Sequence, residues 1–209
     1  MTDEPCATHV YLLRHGACEG GQIFRGSTDS ALSPQGRAQV QQVLGTLTAA
    51  APDAVWSSPL ARCCEPARAF CAEHHLPLSE EPALAEIHFG QWEGQLVSLI
   101  EQREPERISR FWRDPAAFPP PDGETMADFQ ARVVAVWQQL LTRQRGKTTL
   151  VLTHGGVIRL ILAQVLGMPI RPLSYLHVPH ACLSHIAVYH SPGKDDWPQL
   201  MFHNGGLHA

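Results

Sequence analysis

The segment THVYLLRHG, residues 8–16, is an apolar run that closes on an arginine, a histidine and a glycine. An unbroken apolar run of this length is typical of a strand buried on both faces of a parallel sheet. The segment KTTLVLTHGG, residues 147–156, repeats the pattern and also closes on a histidine and glycines. Together the two segments predict an α/β fold that carries polar side chains at the ends of buried strands.

Helical patterns alternate with strand patterns along the rest of the chain. Residues 33–50 predict a helix with Ser33 as its N-cap and Pro34 at the first helical position. Residues 60–75 predict a second helix, in which Pro66 indicates a kink or a late start. Further helices are expected at 125–144 and 157–166, and further strands at 53–59, 182–190 and 197–204.

This alternation predicts an α/β protein, specifically a three-layer αβα sandwich with a mostly parallel central sheet. We expect residues 1–209 to form one domain. Residues 95–122 differ from their surroundings, because short helix-like pieces alternate with prolines and end in DPAAFPPPDGET. We expect this stretch to be a small helical, cap-like insertion over one edge of the sheet.

Composition narrows the function classes. The 209 residues carry a net charge of −4, so nothing indicates a nucleic-acid partner or an anionic membrane surface. The acidic N-terminus lacks a signal-peptide pattern, and the six cysteines show no disulfide framework, so we expect a cytoplasmic protein. The twelve histidines come without an HExxH or CxxC motif, and we expect no metal and no cofactor. A homodimer is left open.

Five charged or titratable side chains fall at or just after predicted strand ends. They are Arg14, His15, Arg62, Glu86 and His154. Each has a plain structural explanation when taken singly, such as a carbonyl cap or a surface ion pair. Because the carboxyl ends of neighbouring parallel strands meet at one rim, their conjunction predicts a small cationic cavity with one carboxylate, which suits a phosphate group.

Four motifs carry a family resemblance. LLRHG, SSPLAR, EIHFGQWEG and THGGVIR, in this order and at these separations, resemble the histidine phosphatase superfamily in its phosphoglycerate-mutase-like branch. The resemblance covers almost the whole chain. It implies an αβα fold, a metal-independent phosphoric monoester hydrolase, and a small phosphate ester as substrate.

The resemblance also implies roles for the strand-end residues. His15 matches the nucleophile that is phosphorylated on its distal nitrogen, while its other nitrogen donates to an acceptor. Arg14 and Arg62 match donors to the phosphoryl oxygens, and His154 matches a further donor that is most useful when protonated. Backbone N–H groups at the following helix start, at Gly155, are expected to assist.

Glu86 matches the general acid, which protonates the leaving oxygen and later activates water. The loop after His15 departs from the family pattern, because Ala17 and Cys18 stand where relatives have Glu and Thr, and the usual loop Asn is missing. We expect Arg25 or Ser27 to supply the lost phosphate contact.

The same chemistry serves mutases and phosphatases. In the mutases the catalytic Glu is followed by Arg, whereas here it is followed by Ile87, which favours a phosphatase. Arg103, Arg107, Arg110 and Arg113 are interpreted as a solvated helix face rather than a second anion site.

Within the superfamily, the segments STDSALSPQGRAQ and FWRDPAAFPPPDGET resemble the α-ribazole phosphatases, which remove the 5′-phosphate of α-ribazole phosphate in cobalamin nucleotide-loop assembly. The alternatives are a broad-specificity phosphatase of sugars and small metabolites, a phosphoglycerate mutase, and a non-catalytic module that binds phosphorylated ligands. Four aromatic residues of this region either stack on a benzimidazole-like base or form the core of the insertion: Trp92, Phe111, Trp112 and Phe118.

Overall fold

The computed structural model describes residues 6–50, 52–169 and 175–205. Six strands form its centre. They are β1 (Cys6–Arg14), β2 (Ala54–Ser57), β3 (Leu78–Glu80), β4 (Thr148–Thr153), β5 (Leu183–His190) and β6 (Trp197–His203). They make one sheet in the order β3-β2-β4-β1-β5-β6.

The sheet is mostly parallel, as predicted. β1 pairs with β4, β4 with β2, and β2 with β3, all in parallel. Only β5 runs the other way, since it is antiparallel to both β1 and β6. β1 and β4 are central strands, which explains why their sequences are apolar without alternation.

The described residues form six α-helices, of which four cover the sheet. The six are α1 (Pro34–Leu47), α2 (Ala61–His74), α3 (Val97–Arg103), α4 (Pro105–Arg113), α5 (Met126–Arg143) and α6 (Gly155–Leu166). α1 and α2 pack on the face of β1 that carries Leu13, and α5 and α6 pack on the face that carries Leu12. Helices therefore cover both faces of the sheet, which confirms the three-layer prediction.

The helix starts follow the sequence signals in α1 and depart from them in α2. The Ser33 side chain accepts a hydrogen bond from the N–H of Gly36, so it caps α1 as predicted. α2 begins at Ala61 and contains Pro66, so the late start was wrong. Burial of its inner face, including Cys63 and Phe70, holds the helix in spite of the missing N–H group.

The predicted insertion is helical, since it contains α3 and α4. Its apolar side chains form a small cluster of their own with Phe24 and Trp92. Isolated β-bridges join Ile23 to Leu96 and Phe24 to Glu93. The described contacts therefore place these helices against the loop that follows the central strand β1.

Candidate active site

His15 and His154 lie side by side because β1 and β4 are adjacent and parallel. The N–H of His15 donates to the carbonyl of Thr153 at 3.1 Å, which ties the two strand ends together. The imidazole centroids are 5.2 Å apart, and both side chains are buried. The structure thus brings the two predicted histidines to one point at the rim of the sheet.

The His15 ring is held in one tautomer. Its Nδ1 donates to the carbonyl of Gly16 at 2.8 Å, so the lone pair of the neutral ring lies on Nε2. Burial, and then the positive charges of Arg14 and Arg62, lower the pKa of His15 well below its ordinary value. The sulfur of Cys18 lies 3.6 Å from the same Nδ1. A neutral ring with a free Nε2 is what a nitrogen nucleophile requires.

The Arg62 guanidinium is fully buried and donates four hydrogen bonds. Its Nε donates to Nδ1 of His154 at 3.2 Å. Its Nη atoms donate to three carbonyls of the loop after β1, those of Arg25, Gly26 and Thr28, at 2.8 to 3.1 Å. Arg62 therefore joins the start of α2, the loop after β1 and the end of β4 in one hydrogen-bond network.

His154 is neutral in this arrangement. Because the Nε of Arg62 only donates, Nδ1 of His154 must accept, and the ring proton lies on Nε2, which donates to Oγ of Ser58 at 2.7 Å. Burial and the charge of Arg62 lower the pKa of His154 well below its ordinary value. The protonated form, in which His154 would be most useful as a donor to the phosphoryl group, is disfavoured here because Nδ1 already accepts the N–H of Arg62.

A cavity of about 330 Å³ opens beside His15. Its polar wall consists of Arg14, His15, Arg25, Glu86 and Arg159, and the rest of its lining is largely apolar. Nη1 of Arg14 donates to the carbonyl of Val178 at 2.6 Å, which fixes that guanidinium at the mouth of the cavity. Three guanidinium groups facing one carboxylate give the local positive field that the sequence predicted for an anion.

Glu86 reaches the cavity from the loop beyond β3. Its Oε2 accepts from the N–H of Gly156 at 3.0 Å and its Oε1 from the N–H of Ile87 at 3.1 Å. A Cβ at position 156 would lie 2.2 Å from Oε1 of Glu86, so a larger residue there would displace the carboxylate. The second glycine of the THGG motif thus makes room for the carboxylate.

The structure separates the two residues expected to replace the missing loop Asn. Arg25 lines the cavity, and its Nη2 is held by the carbonyls of Glu19 and Gly21. Ser27 is exposed outside the cavity lining, and its N–H donates to the Glu93 carboxylate instead. Of these two, only Arg25 is therefore placed to replace the missing loop Asn.

Gly155 begins α6 directly after His154. A Cβ built on it would lie 3.0 Å from Nη1 of Arg159 and 3.5 Å from Nε of Arg14. The helix start is therefore packed against two guanidinium groups, which agrees with its expected place at the site.

Sequence reasoning missed two residues near the reacting centre. Arg159 lines the cavity and stands one helical turn after Gly155, a spacing that could have identified it. The His180 ring lies 5.7 Å from that of His15 and had no sequence signal. Its outer side is exposed, but burial on its inner side, followed by the charges of Arg14 and Arg25, lowers the pKa of His180 to about 4.

The four insertion aromatics divide between the two interpretations. Phe111 and Trp112 line the cavity, and Trp112 is 49% exposed. Trp92 is fully buried in the insertion core, and the Phe118 ring lies 5.6 Å from the guanidinium carbon of Arg110, away from the cavity lining. Phe111 also belongs to the buried core of the insertion, so of the four Trp112 is the one that both lines the cavity and is exposed to a ligand.

Within residues 6–50, 52–169 and 175–205, no group of three or more His, Cys, Asp or Glu side chains is arranged to hold a metal ion. Over the same ranges, no helix combines the length and apolar character needed to cross a membrane.

Comparison with known proteins agrees with this geometry. Residues 10–194 match the family profile of the histidine phosphatase superfamily (branch 1). The adenosylcobalamin/α-ribazole phosphatase of Escherichia coli (strain K12) is 29% identical over 181 residues, which are 86% of this chain and 89% of that protein. The glucosyl-3-phosphoglycerate phosphatase of Mycolicibacterium vanbaalenii is 30% identical over 171 residues, 77% of this chain and 75% of that protein.

The crystal structure of the α-ribazole phosphatase from Shigella flexneri superposes with a TM-score of 0.82 at 26% identity, over 96% of this chain and 100% of that one. Family profile, relatives and fold agree over nearly the whole chain. The protein therefore belongs to branch 1 of the histidine phosphatase superfamily and is an enzyme of the phosphatase type.

Proposed function

We propose that the protein is a phosphomonoesterase that passes the phosphoryl group of a small phosphate ester through Nε2 of His15. The observation that carries the proposal is the hydrogen bond from Nδ1 of His15 to Gly16, made at the wall of a cavity that holds three guanidinium groups. That bond fixes the tautomer that leaves Nε2 as the nucleophile.

The first step forms a bond between Nε2 of His15 and phosphorus and breaks the ester P–O bond. Glu86 donates its proton to the leaving oxygen as that bond breaks. In the second step water attacks phosphorus, Glu86 takes a proton from the water, and the P–N bond breaks. Inorganic phosphate leaves, and His15 returns to the neutral ring with which it began.

Charge on the phosphoryl oxygens is balanced by side chains, so the proposed reaction needs no metal. Arg14 and Arg25 line the cavity and offer planar donor groups to those oxygens. Arg62 is committed to the loop carbonyls and to His154, so it contributes its charge and keeps the loop in place. His154 is neutral and donates from Nε2 to Oγ of Ser58, so it has a positioning role at the site.

For the substrate we propose α-ribazole 5′-phosphate, which places the enzyme in the assembly of the cobalamin nucleotide loop. The proposal is supported by the name of the Escherichia coli relative and by the shape of the cavity. Beyond its cationic end the cavity is walled by aromatic side chains, among them Phe24, Phe89, Phe111 and Trp112. Such a wall suits a flat base attached to a phosphorylated sugar.

The second candidate function is a broad-specificity sugar phosphatase. It is supported by the similarity of this chain to a glucosyl-3-phosphoglycerate phosphatase. A mutase is disfavoured because Ile87, not Arg, follows Glu86. These candidate functions are distinguished by measuring phosphate release from α-ribazole 5′-phosphate, glucose 6-phosphate and 3-phosphoglycerate. We expect the highest kcat/KM on α-ribazole 5′-phosphate and no exchange between phosphoglycerate isomers.

The catalytic proposal is tested with p-nitrophenyl phosphate and the variant His15→Asn. We expect turnover to fall at least about 1000-fold, while EDTA leaves the wild-type rate unchanged. The matched control is His75→Asn, a histidine outside the cavity whose left-handed backbone asparagine tolerates well. Acid quenching of wild type with ³²P-labelled substrate should trap an acid-labile phosphohistidine that His15→Asn lacks. Substrate binding without turnover would instead favour the non-catalytic module.

A further inference from the structure

We infer that Arg132 and Glu124 are positioning residues for the general acid Glu86, because together they hold the backbone of the loop that carries it. This inference rests on the proposed function, in which Glu86 protonates the leaving oxygen and later activates water. Neither Arg132 nor Glu124 lines the cavity that the described residues form, so both act through Glu86 and not on the substrate.

The carbonyls of the loop that carries Glu86 are bound by side chains. Residues 85–89 form neither helix nor strand, so their backbone groups lack the partners that a sheet or helix supplies. The guanidinium of Arg132 donates to three carbonyls at 2.8 to 3.1 Å, those of Ala83, Ala85 and Glu86. The carbonyl of Leu84 accepts from Oγ1 of Thr153 at 2.8 Å. Four consecutive carbonyls that end at Glu86 are therefore bound by two side chains.

Glu124 holds the same loop on the other side of Glu86. Its carboxylate accepts from Nε and Nη2 of Arg132 at 2.6 and 2.8 Å, and its Oε2 also accepts from the N–H of His88 at 3.2 Å. The N–H of Glu124 donates to the carbonyl of His88 at 2.9 Å. The side chains of Arg132 and Glu124 are 25% and 16% exposed, so this bidentate pair is largely shielded from solvent. The pair thus binds the backbone both before and after Glu86.

The two ends of Glu86 are fixed by different helices. The N–H of Gly156, in the first turn of α6, donates to its carboxyl group at 3.0 Å. Its backbone is held by Arg132 of α5, whose guanidinium carbon lies 4.7 Å from the centroid of the cavity-lining Phe129 ring. A shift of about 1 Å in a reacting group can cost about 100-fold in rate. Loss of the backbone anchor should therefore appear in the steps that Glu86 serves.

The test compares Arg132→Met with wild type on benzyl phosphate and p-nitrophenyl phosphate. The two esters are similar in size, but benzyl alcohol is a poor leaving group that needs the proton of Glu86, whereas p-nitrophenolate leaves without it. We expect kcat/KM to fall about 100-fold on benzyl phosphate and less than about 5-fold on p-nitrophenyl phosphate. On p-nitrophenyl phosphate kcat should still fall at least about 10-fold, because the second step needs Glu86 to activate water for every substrate.

The phosphohistidine gives a second readout that a general loss of structure would not give. When hydrolysis of the P–N bond becomes the slow step, Arg132→Met should release about one equivalent of p-nitrophenol in a burst before slow turnover. Acid quenching with ³²P-labelled p-nitrophenyl phosphate should trap more phosphohistidine in this variant than in wild type. Arg132→Lys should recover part of the loss, since lysine keeps the charge and lacks the forked donors. Glu124→Gln should change the same quantities in the same direction, by less.

Arg143→Met is the matched control, because Arg143 lies on the same helix and its exposed side chain pairs with Glu81 at 3.8 Å. It should leave all of these quantities unchanged. Equal losses on the two esters in Arg132→Met without a burst would overturn the inference, and so would unchanged kinetics. Urea unfolding shows whether Arg132→Met is folded, and if it is not, Glu124→Gln decides by the same criteria. Activity retained in His15→Asn would instead overturn the proposed function.

Discussion

The Nε of Arg62 donates a hydrogen bond to Nδ1 of His154 over 3.2 Å, in a part of the protein from which water is excluded. The contact joins the first turn of α2 to the end of β4. It also decides the protonation of the second histidine, since a ring nitrogen that accepts from a guanidinium carries no proton. Of this hydrogen-bonded pair, Arg62 therefore carries the positive charge and His154 is neutral.

Arg62→Met should destabilise the fold strongly. The change leaves the carbonyls of Gly26 and Thr28 and the ring of His154 without their donor in a buried place, which we expect to cost about 3 kcal/mol or more. Urea unfolding measures the change in the free energy of unfolding. Arg68→Met is the matched control on the same helix, because the Arg68–Glu80 ion pair is exposed and should contribute little to stability. Similar losses in both variants would contradict the network.

Gly156→Ala should impair the chemical step. The new Cβ has no space beside Oε1 of Glu86 and must displace the carboxylate from its hydrogen bond with the N–H of residue 156. Loss of a positioned general acid lowers the rate about 100- to 10,000-fold, and we expect kcat on p-nitrophenyl phosphate to fall by at least about 100-fold.

Gly45→Ala is the matched control for this change. Gly45 lies in α1, where an added Cβ meets nothing within 4 Å, so alanine should preserve activity and raise stability by about 0.5–1 kcal/mol. An active Gly156→Ala enzyme would show that Glu86 does not need this position.

The acid limb of the kcat/KM profile should lie well below the ordinary histidine pKa of 6.5. Burial and the charges of Arg14 and Arg62 lower the pKa of His15, so the neutral nucleophile persists as the pH falls below the ordinary histidine value of 6.5. Steady-state kinetics on p-nitrophenyl phosphate from pH 4 to 9 measure the limb. The variant Arg14→Gln, which removes one of these charges, should move the limb toward higher pH. An acid limb at or above 6.5 in wild type would contradict the shift.

Glu93 should stabilise the loop after β1 in a pH-dependent way. Its carboxylate accepts from the N–H groups of Gly26, Ser27, Thr28 and Phe89 and from Oγ1 of Thr28. Burial raises the pKa of Glu93, but these hydrogen bonds outweigh it and lower the pKa overall. The stabilisation is therefore complete above the unfolded-state value near 4.5 and is lost as the pH falls through the lower folded-state value.

Glu93→Gln should accordingly reduce the free energy of unfolding by about 1–3 kcal/mol at pH 7, and the difference from wild type should shrink as the pH falls below the unfolded-state value of 4.5. Urea titrations at several pH values provide the comparison. Glu80→Gln, in an exposed pair with Arg68, serves as control and should cost less than about 1 kcal/mol at pH 7. If the difference in free energy of unfolding between Glu93→Gln and wild type stayed constant down to pH 3, this role of Glu93 would be contradicted.

Much of the fold could be predicted from the sequence because its signals are local. The apolar runs that end at Arg14 and Thr153 predict central parallel strands, and these two strands do pair. Ser33 and Pro34 mark the start of α1 for the same reason. Pro66 misled the prediction of α2, because burial of the helix overrides the penalty of one missing N–H group.

The residues of the candidate site could be predicted from their positions at strand ends, but the hydrogen bonds that connect them could not. The motifs locate His15, His154 and Glu86, since parallel strands bring their carboxyl ends to one rim. Sequence spacing does not show that Arg62 donates to carbonyls more than thirty residues earlier, and the neutral state of His154 follows from that contact. Likewise Arg159 gains its place only when α6 packs beside the 176–178 segment.

The strand order has a consequence for synthesis of the protein. β1 lies between β4 and β5, both of which are made more than a hundred residues after it, and the N–H of His15 donates a hydrogen bond to the carbonyl of Thr153 at the end of β4. A growing chain in which β4 and β5 have not yet been made therefore holds His15 without its neighbouring strands. The arrangement of His15 and His154 can form only after β4 has been made and paired with β1.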